Sequence, residues 1–246
     1  MSTTIARPEK REKLYEGKAK ILYATSAPDL MIQYFKDDAT AFNAKKKGTI
    51  VEKGIVNNRI SSALFKLLEE NGIRTHFVER LSDREMLCKR LSIIPLEVVV
   101  RNVVAGSLAK RMGLPEGETL PRPILEFFYK RDDLDDPPIN DDHALVFKLC
   151  TAEELETIRR EACKVNELLT KFLDPRGIRL VDFKLEFGRG TGRWQGQVLL
   201  GDEITPDGCR FWDKATNEKL DKDRFRRDLG KIEESYHEVE RRICGA

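Results

Sequence analysis

This sequence lacks long apolar runs, and it has few histidines and no paired cysteines. Its three histidines stand far apart, and its five cysteines show no C-x-x-C spacing, so neither a zinc site nor a disulfide framework is indicated. No apolar run approaches the ~18 residues of a membrane-spanning helix, and the polar N-terminus has no signal-peptide core. We therefore expect a cytoplasmic protein that binds no membrane.

An excess of one charge is missing as well. The 246 residues include 44 basic and 42 acidic side chains, for a net charge of +2, which argues against a nucleic-acid partner. Hydrophobic residues make up 40% of the chain and charged residues 35%, enough for a sizeable core under a highly charged surface. We expect a globular protein of one large domain or two lobes, with a solvated lysine run at 45–47 and frayed residues at 1–12.

Residues 180–188 alternate apolar and charged side chains, as a strand with one buried face does. The apolar set is Val181, Phe183, Leu185 and Phe187. Asp182, Lys184 and Glu186 would share the other face, and a hairpin would bring Asp202 beside them. Two acids and a lysine in this arrangement suit a divalent cation next to a phosphate. A solvated outer strand face explains the same pattern, so both interpretations stay open.

Short apolar stretches separated by turn residues predict antiparallel strands over residues 13–38. Within them, Gly17 precedes Lys18 and Lys20, and the two lysines would share one strand face. Glycine lets the backbone approach a phosphate closely, and lysines neutralise its charge. The spacing of a Walker P-loop is absent, and the pattern alone favours a hairpin with exposed lysines.

Residues 93–100 are almost continuously apolar and β-branched, which predicts a strand buried on both faces. Arg101 follows it, and Ser107 after Gly106 is the predicted N-cap of a helix that stops at Gly113. Free backbone N–H groups, a serine hydroxyl and an arginine would form an anion pocket. The alternative is an ordinary capped helix with basic surface residues.

Three longer helices are predicted from apolar residues at helical spacing. The first covers residues 54–71, and the second begins at Thr151, whose capping box includes Glu154, and ends before Pro175. The third covers residues 221–243.

Two connecting segments carry charged residues. Residues 115–142 are rich in proline and acids and predict a long irregular excursion, which contains Lys130 and Asp136. Residues 205–208 form a strong turn signal, and the strand after it would place Arg210 near the mouth of that turn.

Two of these stretches, residues 93–107 and residues 180–188, resemble the signature stretches of the SAICAR synthetase family. They read I-I-P-L-E-V-V-V-R-x-x-x-A-G-S and L-V-D-x-K-L-E-F-G. Further matching blocks occur in chain order at residues 14–20, 201–203, 206–213 and 221–225. The resemblance therefore extends over nearly the whole chain.

The resemblance implies an α+β fold of two lobes with ATP bound between them. An N-terminal antiparallel β lobe with one helix would cover residues 1–90, and a larger α/β portion would cover residues 91–246. It also implies small-molecule substrates and a homo-oligomer, a dimer as in many relatives. The family uses ATP and Mg²⁺ to join L-aspartate to the carboxylate of 5-amino-1-(5-phosphoribosyl)imidazole-4-carboxylate. The products are the succinocarboxamide, ADP and phosphate, in de novo purine biosynthesis.

The resemblance further implies a role for each matching polar residue. The ATP phosphates would be covered by Gly17, Lys18 and Lys20, and Mg²⁺ would be held by Glu186 and Asp202. The ribonucleotide would be bound by Arg101, Ser107, Arg210, Lys130 and Asp136. The catalytic residues would be Lys184, facing the reacting phosphoryl group, and Asp182, beside the substrate.

An acyl phosphate intermediate suits this reaction, because a carboxylate becomes an acyl donor once phosphorylation turns one oxygen into a leaving group. Such chemistry needs positioning and charge neutralisation rather than an enzymic nucleophile. Two other function classes are weighed against it. A kinase would share ATP, but no H-R-D or D-F-G motif is present. An RNA-binding module would need a basic stripe with aromatic residues.

Overall fold

The computed structural model describes residues 7–41 and 46–245, so residues 1–6, among those expected to be frayed, and Lys45 of the lysine run lie outside the described part. The expectation of fraying is wrong for residues 10–12, because they begin the first strand. The elements of the first 90 residues are β1 (Lys10–Glu16), β2 (Lys20–Thr25), β3 (Leu30–Phe35), β4 (Asp38–Ala41), β5 (Lys46–Thr49), α1 (Lys53–Glu70), β6 (Phe77–Arg80) and β7 (Glu85–Lys89). Five of these strands form an antiparallel N-terminal sheet in the order β1-β2-β3-β7-β6, and β4 pairs with β5.

The remaining elements build a second, C-terminal sheet and its helices. They are β8 (Leu91–Val103), α2 (Gly106–Met112), β9 (Thr119–Tyr129), β10 (Pro138–Ile139), α3 (Asp141–Val146), α4 (Ala152–Leu173), β11 (Ile178–Gly190), β12 (Val198–Gly201), β13 (Cys209–Asp213), α5 (Asp223–Arg226) and α6 (Ile232–Cys244). The strand order is β10-β9-β8-β11-β12, and β13 also pairs with β11.

The predicted α+β architecture with antiparallel sheets is confirmed, and both sheets share one hydrophobic core. Phe35 of the N-terminal sheet, Ile60 of α1 and Phe183 of β11 belong to the same cluster of buried side chains. The chain passes from one sheet to the other between Lys89 and Leu91. A division into two lobes at this point stays a prediction. No helix in the described part of the chain is long and apolar enough to span a membrane.

Two of the predicted helices are confirmed. The first is α1, whose residues Ile60 and Leu64 are fully buried. The second is α4, where the Thr151 hydroxyl accepts a hydrogen bond from the backbone of Glu154 at 3.2 Å and the Glu154 carboxylate accepts one from the backbone of Thr151 at 2.9 Å. This reciprocal capping satisfies two backbone donors that the first turn leaves free.

The third predicted helix is wrong as a single element, because the chain breaks it into α5 and α6. Gly230 and Lys231 adopt left-handed backbone angles, with φ of +67° and +49°. Leu229, expected to face inward, is 47% exposed as a result.

The predicted irregular excursion at residues 115–142 is also wrong, because it contains β9, which pairs with β8 along most of its length. Pro121 and Pro123 were the reason that the sequence pattern did not predict a strand here, because proline cannot donate to a strand ladder. The strand tolerates them because both lie where the register with β8 is interrupted, between Thr119 and Ile124. On the other side, β10 pairs only with Phe127 and Phe128.

The central strand β11 contains a bulge that changes which side chains share a face. Leu180 pairs with Phe211 and Asp182 pairs with Arg210, so Val181 is one extra residue on this side. Val181 is buried, as expected, but in a small separate cluster with Trp212 rather than with the other apolar residues of the strand. The alternation predicted for residues 180–188 therefore holds only after the bulge.

Candidate active site

A cavity of about 620 Å³ lies between the two sheets and is lined by side chains from β2, β3, β8 and β11. We call it the lysine cavity because, within the described residues, five lysines line it: Lys18, Lys20, Lys130, Lys184 and Lys222. Apolar side chains of Leu22, Met31 and Ile93 form part of its wall. Ile93 is 40% exposed, so the prediction that residues 93–100 are buried on both faces is wrong. The second face of β8 lines this cavity instead.

Three charged side chains of β8 and β11 meet in the lysine cavity. The Lys184 ammonium lies 2.7 Å from Glu97 Oε1 and 2.8 Å from Glu186 Oε1. Glu97 and Glu186 face each other in the strand register, which explains how one lysine reaches both. Glu186 and Asp182 are buried, so the interpretation of this strand face as a solvated surface is wrong.

Lys184 stays charged in this environment. Burial acts to lower the pKa of Lys184, but the carboxylates of Glu186 and Glu97 outweigh it and raise the pKa well above its ordinary value. Sequence reasoning missed Glu97. The signal was present in the two-residue period of β8, which places Glu97 and Arg101 on one face.

Asp202 and Lys20 form an ion pair in the wall of the cavity. The Lys20 ammonium is hydrogen-bonded to Asp202 Oδ1 and lies 3.0 Å from Glu203 Oε1. Burial opposes ionisation of Asp202, but the ammonium groups of Lys20 and Lys184 lower its pKa. Asp202 adopts a left-handed backbone with φ of +61°, a conformation uncommon for a residue other than glycine and frequent at functional sites.

Gly17 and Lys18 lie in the turn between β1 and β2. The Gly17 N–H donates a hydrogen bond to the Lys20 carbonyl at 2.8 Å, which closes the turn. The Lys18 ammonium lies 3.2 Å from Asp132 at the cavity mouth, whereas Lys20 points inward. The expectation that both lysines share one strand face is wrong, because Lys18 is not in a strand.

Lys130 and Asp136 also line the lysine cavity. The Lys130 ammonium lies 2.7 Å from Glu186 Oε1, the oxygen that Lys184 also contacts. Asp136 accepts a hydrogen bond from the Arg131 N–H at 2.7 Å, which holds the short turn after β9 in place.

A second group of charges, the arginine cluster, surrounds Asp182. Its members are Arg101, Ser107, Asp182 and Arg210. Asp182 Oδ2 accepts hydrogen bonds from Arg101 at 3.0 Å and from Arg210 at 2.9 Å. Arg101 also donates to the Ser107 hydroxyl at 3.0 Å. Burial raises the pKa of Asp182, while the two guanidinium groups oppose that shift.

Ser107 is not the helix N-cap, so that prediction is wrong. Helix α2 starts at Gly106 with Ala105 as its N-cap, and no side chain of the described residues caps it. The Ser107 hydroxyl contacts Arg101 instead. Gly106 has φ of +54°, and a Cβ on it would lie 2.5 Å from the Arg210 guanidinium, so both the backbone and the packing require glycine.

Helix α5 supplies residues to the arginine cluster that sequence reasoning did not assign. Asp223 Oδ2 accepts a hydrogen bond from Arg210 Nε at 2.9 Å, and Asp223 Oδ1 accepts one from Arg226 at 2.6 Å. Asp221 lies buried beside them, and its burial and the nearby Asp223 raise its pKa to about 7. The available signal was the block 221–225, which matches the family but received no role.

The lysine cavity and the arginine cluster are two ends of one surface. Asp182 and Glu186 are four residues apart on β11, which corresponds to about 13 Å along a strand. Lys184 lies between them. All twelve residues predicted for the site therefore fall in these two neighbouring groups: Gly17, Lys18, Lys20, Lys130, Asp136, Lys184, Glu186 and Asp202 in the cavity, and Arg101, Ser107, Asp182 and Arg210 in the cluster.

No group of three or more His, Cys, Asp or Glu side chains in the described part of the chain is arranged to hold a metal by itself. The donors present are nevertheless the kind that Mg²⁺ takes. Glu186 and Asp202 are buried or half-buried carboxylates on neighbouring elements of one cavity. Mg²⁺ sites at nucleotides commonly use one or two carboxylates and complete the shell with phosphate oxygens and water.

Comparison with known proteins agrees with this arrangement. The profile of the SAICAR synthetase family matches residues 13–243. A phosphoribosylaminoimidazole-succinocarboxamide synthase of Chlorobium chlorochromatii is 61% identical over 234 residues, which cover 95% of this chain and 98% of that protein.

Solved structures are similar over the same extent. A phosphoribosylaminoimidazole-succinocarboxamide synthase from Ehrlichia chaffeensis has a TM-score of 0.93 and 49% identity, covering 96% of this chain and 99% of that one. A SAICAR synthetase in complex with ADP has a TM-score of 0.91 and 50% identity, covering 96% and 98%. This chain therefore belongs to the SAICAR synthetase family.

Proposed function

We propose that this chain is an ATP-dependent carboxylate–amine ligase. It joins L-aspartate to the carboxylate of 5-amino-1-(5-phosphoribosyl)imidazole-4-carboxylate, giving the succinocarboxamide, ADP and phosphate in de novo purine biosynthesis. The observation that carries the proposal is the pair of sites on β11, a lysine–carboxylate cavity next to an arginine cluster. Family membership supports the same reaction.

ATP binds in the lysine cavity under this proposal. The apolar wall that includes Leu22 and Met31 suits a base, and the turn at Gly17 with Lys18 and Lys20 suits the phosphates. A related SAICAR synthetase was solved in complex with ADP, which supports a nucleotide in this cavity. The N-terminal sheet and the C-terminal sheet then act as the two lobes on either side of the nucleotide.

Glu186 and Asp202 would hold Mg²⁺. The metal, when bound, neutralises negative charge on the nucleotide phosphates. Both carboxylates are paired with lysines in this structure, Glu186 with Lys130 and Lys184, and Asp202 with Lys20. Those lysines are free to turn to the phosphates when a cation takes their place beside the carboxylates.

The arginine cluster binds the 5′-phosphate of the ribonucleotide. A guanidinium carries five N–H donors, so Arg101 and Arg210 keep donors for a phosphate beyond those that they give to Asp182. The Ser107 hydroxyl adds another contact, and Asp182 lies beside the substrate. Lys130 and Asp136 contact the ribonucleotide from the cavity side.

The reaction then proceeds in two transfers. A carboxylate oxygen of the imidazole attacks the γ-phosphorus of ATP, the bond to ADP breaks, and an acyl phosphate forms. The amine of L-aspartate next attacks the acyl carbon and loses a proton, and phosphate leaves with one oxygen from the original carboxylate. Lys184 faces the transferring phosphoryl group and neutralises its charge, which is electrostatic stabilisation rather than covalent catalysis.

Oxygen labelling tests this mechanism. The imidazole carboxylate is supplied with ¹⁸O in its carboxyl group, together with unlabelled ATP, Mg²⁺ and L-aspartate. Mass spectrometry should find one ¹⁸O atom in the inorganic phosphate and none in ADP. Unlabelled phosphate formed in step with product would rule out the acyl phosphate. ADP release that does not depend on aspartate, with phosphate transferred to a hydroxyl, would favour a kinase.

A homodimer is also proposed, and its support is the family resemblance. Light scattering at micromolar protein concentration measures it directly: a mass near twice 28.3 kDa is expected, and a mass of one chain would contradict it.

A further inference from the structure

Among the cavity lysines that the structure describes, Lys222 has the most distant carboxylate partner. The other four each have a carboxylate oxygen within hydrogen-bonding range: Lys18 at 3.2 Å from Asp132, Lys20 beside Asp202, Lys130 at 2.7 Å from Glu186 and Lys184 at 2.7 Å from Glu97. Within the described residues, the shortest ion pair of Lys222 is to Asp207 Oδ2 at 3.9 Å, and its ammonium donates no hydrogen bond.

Asp207 attracts Lys222 by its charge, but both of its oxygens have closer partners. Lys53, whose side chain is 1% exposed, lies 2.7 Å from Asp207 Oδ2. The Tyr236 hydroxyl donates a hydrogen bond to Asp207 Oδ1 at 2.6 Å. Lys222 is thus a cation with 12% of its side chain exposed, next to a carboxylate that is bound to other groups.

The surroundings of Lys222 favour a further negative charge. Burial lowers the pKa of Lys222 more than the carboxylates of Asp207 and Glu203 raise it, and Arg226 and Lys53 add to the lowering. A buried ammonium whose nearest carboxylate is distant is stabilised more by an incoming anion than an ammonium that already has a close carboxylate. The reason is that burial has removed its water without a close ion pair in exchange.

Lys222 also lies where the cavity and the arginine cluster meet. The residue after it, Asp223, binds Arg210 of the cluster. The Lys222 N–H donates to the Pro206 carbonyl at 3.1 Å, and in the same turn the Gly208 carbonyl accepts from the Lys184 N–H at 3.0 Å. Under the proposed function, the imidazole carboxylate lies between the nucleotide and the ribonucleotide 5′-phosphate. A group bound to Lys222 at this boundary would therefore be close to that carboxylate.

We propose that Lys222 binds a carboxylate of L-aspartate and thereby positions the amine beside the activated acyl carbon. The proposal rests on the proposed function. L-Aspartate carries two carboxylates, and the other cavity lysines are committed to the acids of the site and to phosphates. Lys222 is therefore a substrate-positioning residue specific to the amino acid.

The test is steady-state kinetics of Lys222→Met with each substrate varied in turn. Losing a charge-assisted contact should raise KM for L-aspartate by about 10- to 100-fold, while KM for ATP and for the ribonucleotide changes by less than about 3-fold. Lys222→Arg keeps the charge and should recover most of the affinity for aspartate. Lys214→Met, a lysine on the surface paired with Asp174, is the matched control and should leave all three KM values unchanged.

Lys222→Gln gives a second neutral variant in case the methionine variant does not fold, and inhibition by succinate gives a second readout. Succinate carries both carboxylates but no amine, and its inhibition constant should rise in the neutral variants as KM for aspartate does. An unchanged aspartate KM, or equal increases for all three substrates, would overturn the role of Lys222. If the wild-type protein itself forms no product from L-aspartate, the proposed function fails instead, so the two failures are distinguishable.

Discussion

The lysine cavity and the arginine cluster share one strand, yet they hold their charges differently. In the arginine cluster, the side chains of Arg101 and Asp182 are 3% and 4% exposed and hydrogen-bond to each other. In the cavity, the side chains of Lys130 and Lys184 are 38% and 30% exposed, and both contact the same oxygen of Glu186. One region is a buried network of planar groups, and the other is a set of partly exposed ammonium groups around a few acids.

The difference matches what each region would bind. A terminal phosphate that takes no part in the reaction is bound best by a preorganised site, and buried guanidinium groups form one. Phosphoryl transfer moves charge from one atom to another, so cations on flexible stems that can change partners are better suited to it.

The largest effect is expected from removing a charge that would bind Mg²⁺. Glu186→Gln and Asp202→Asn should each lower kcat by at least about 100-fold, since a metal ligand is worth more than the 10- to 100-fold of an ordinary charged hydrogen bond. Rates at increasing Mg²⁺ measure it, with circular dichroism to establish folding. Near-normal turnover of both variants at ordinary Mg²⁺ would contradict the metal role and leave the cavity as a lysine site alone.

A smaller and more selective effect is expected in the arginine cluster. Arg101→Ala and Arg210→Ala should each weaken binding of the ribonucleotide by about 10- to 100-fold, because each removes charge-assisted hydrogen bonds to phosphate. Affinity for ATP should change little. Calorimetry with each ligand measures both, and normal ribonucleotide binding together with lost ATP binding would show that the two subsites are exchanged.

The smallest effect concerns stability at the cavity floor, where His76 is buried beside Phe65. Burial, and then the charges of Lys20 and Lys89, lower the pKa of His76 to about 3. An unfolded chain takes up this proton near pH 6.5, so stability from neutral His76 is complete above that pH and is lost as the pH falls toward 3. Between pH 7.5 and pH 5.0 the loss should be about 2 kcal/mol.

Urea unfolding at the two pH values measures this loss. His76→Gln should reduce the difference between them by about the same 2 kcal/mol. His143→Gln is the matched control, because His143 is exposed and its replacement should leave the difference as in the wild type. If His76→Gln has the same pH dependence of stability as the wild type, the His76 imidazole is more hydrated in the folded protein than its burial indicates. The cavity floor would then resemble the cavity mouth in its access to water.

Features that depend on neighbouring residues in the chain were predictable from the sequence. The capping box of Thr151 and Glu154 and the apolar stripe of α1 are local patterns, and the structure reproduces them. The charged face of β11 was also predictable, because a two-residue period separates Asp182 and Glu186 from the apolar side chains between them.

Features that depend on distant partners were not predictable. The bulge at Val181 exists because of how β13 pairs with β11. The tolerance of β9 for Pro121 depends on the interrupted register with β8 and on the short length of β10. Similarly, the link between Lys53 and Asp207 joins residues 154 positions apart in the chain. Local periodicity does not encode contacts between distant residues. Only the family resemblance indicated that block 221–225 matters, and it assigned no role to Lys222.

The bulged strand β11 has one more consequence. It is paired on one side with β8 and on the other with β13 and β12, and a slip of one residue would turn every side chain to the opposite face. The spacing between the arginine cluster and the acids of the lysine cavity is therefore fixed by covalent geometry rather than by loops. Under the proposed function, this fixed spacing would favour ligands whose phosphate and reacting carboxylate are separated by a matching distance.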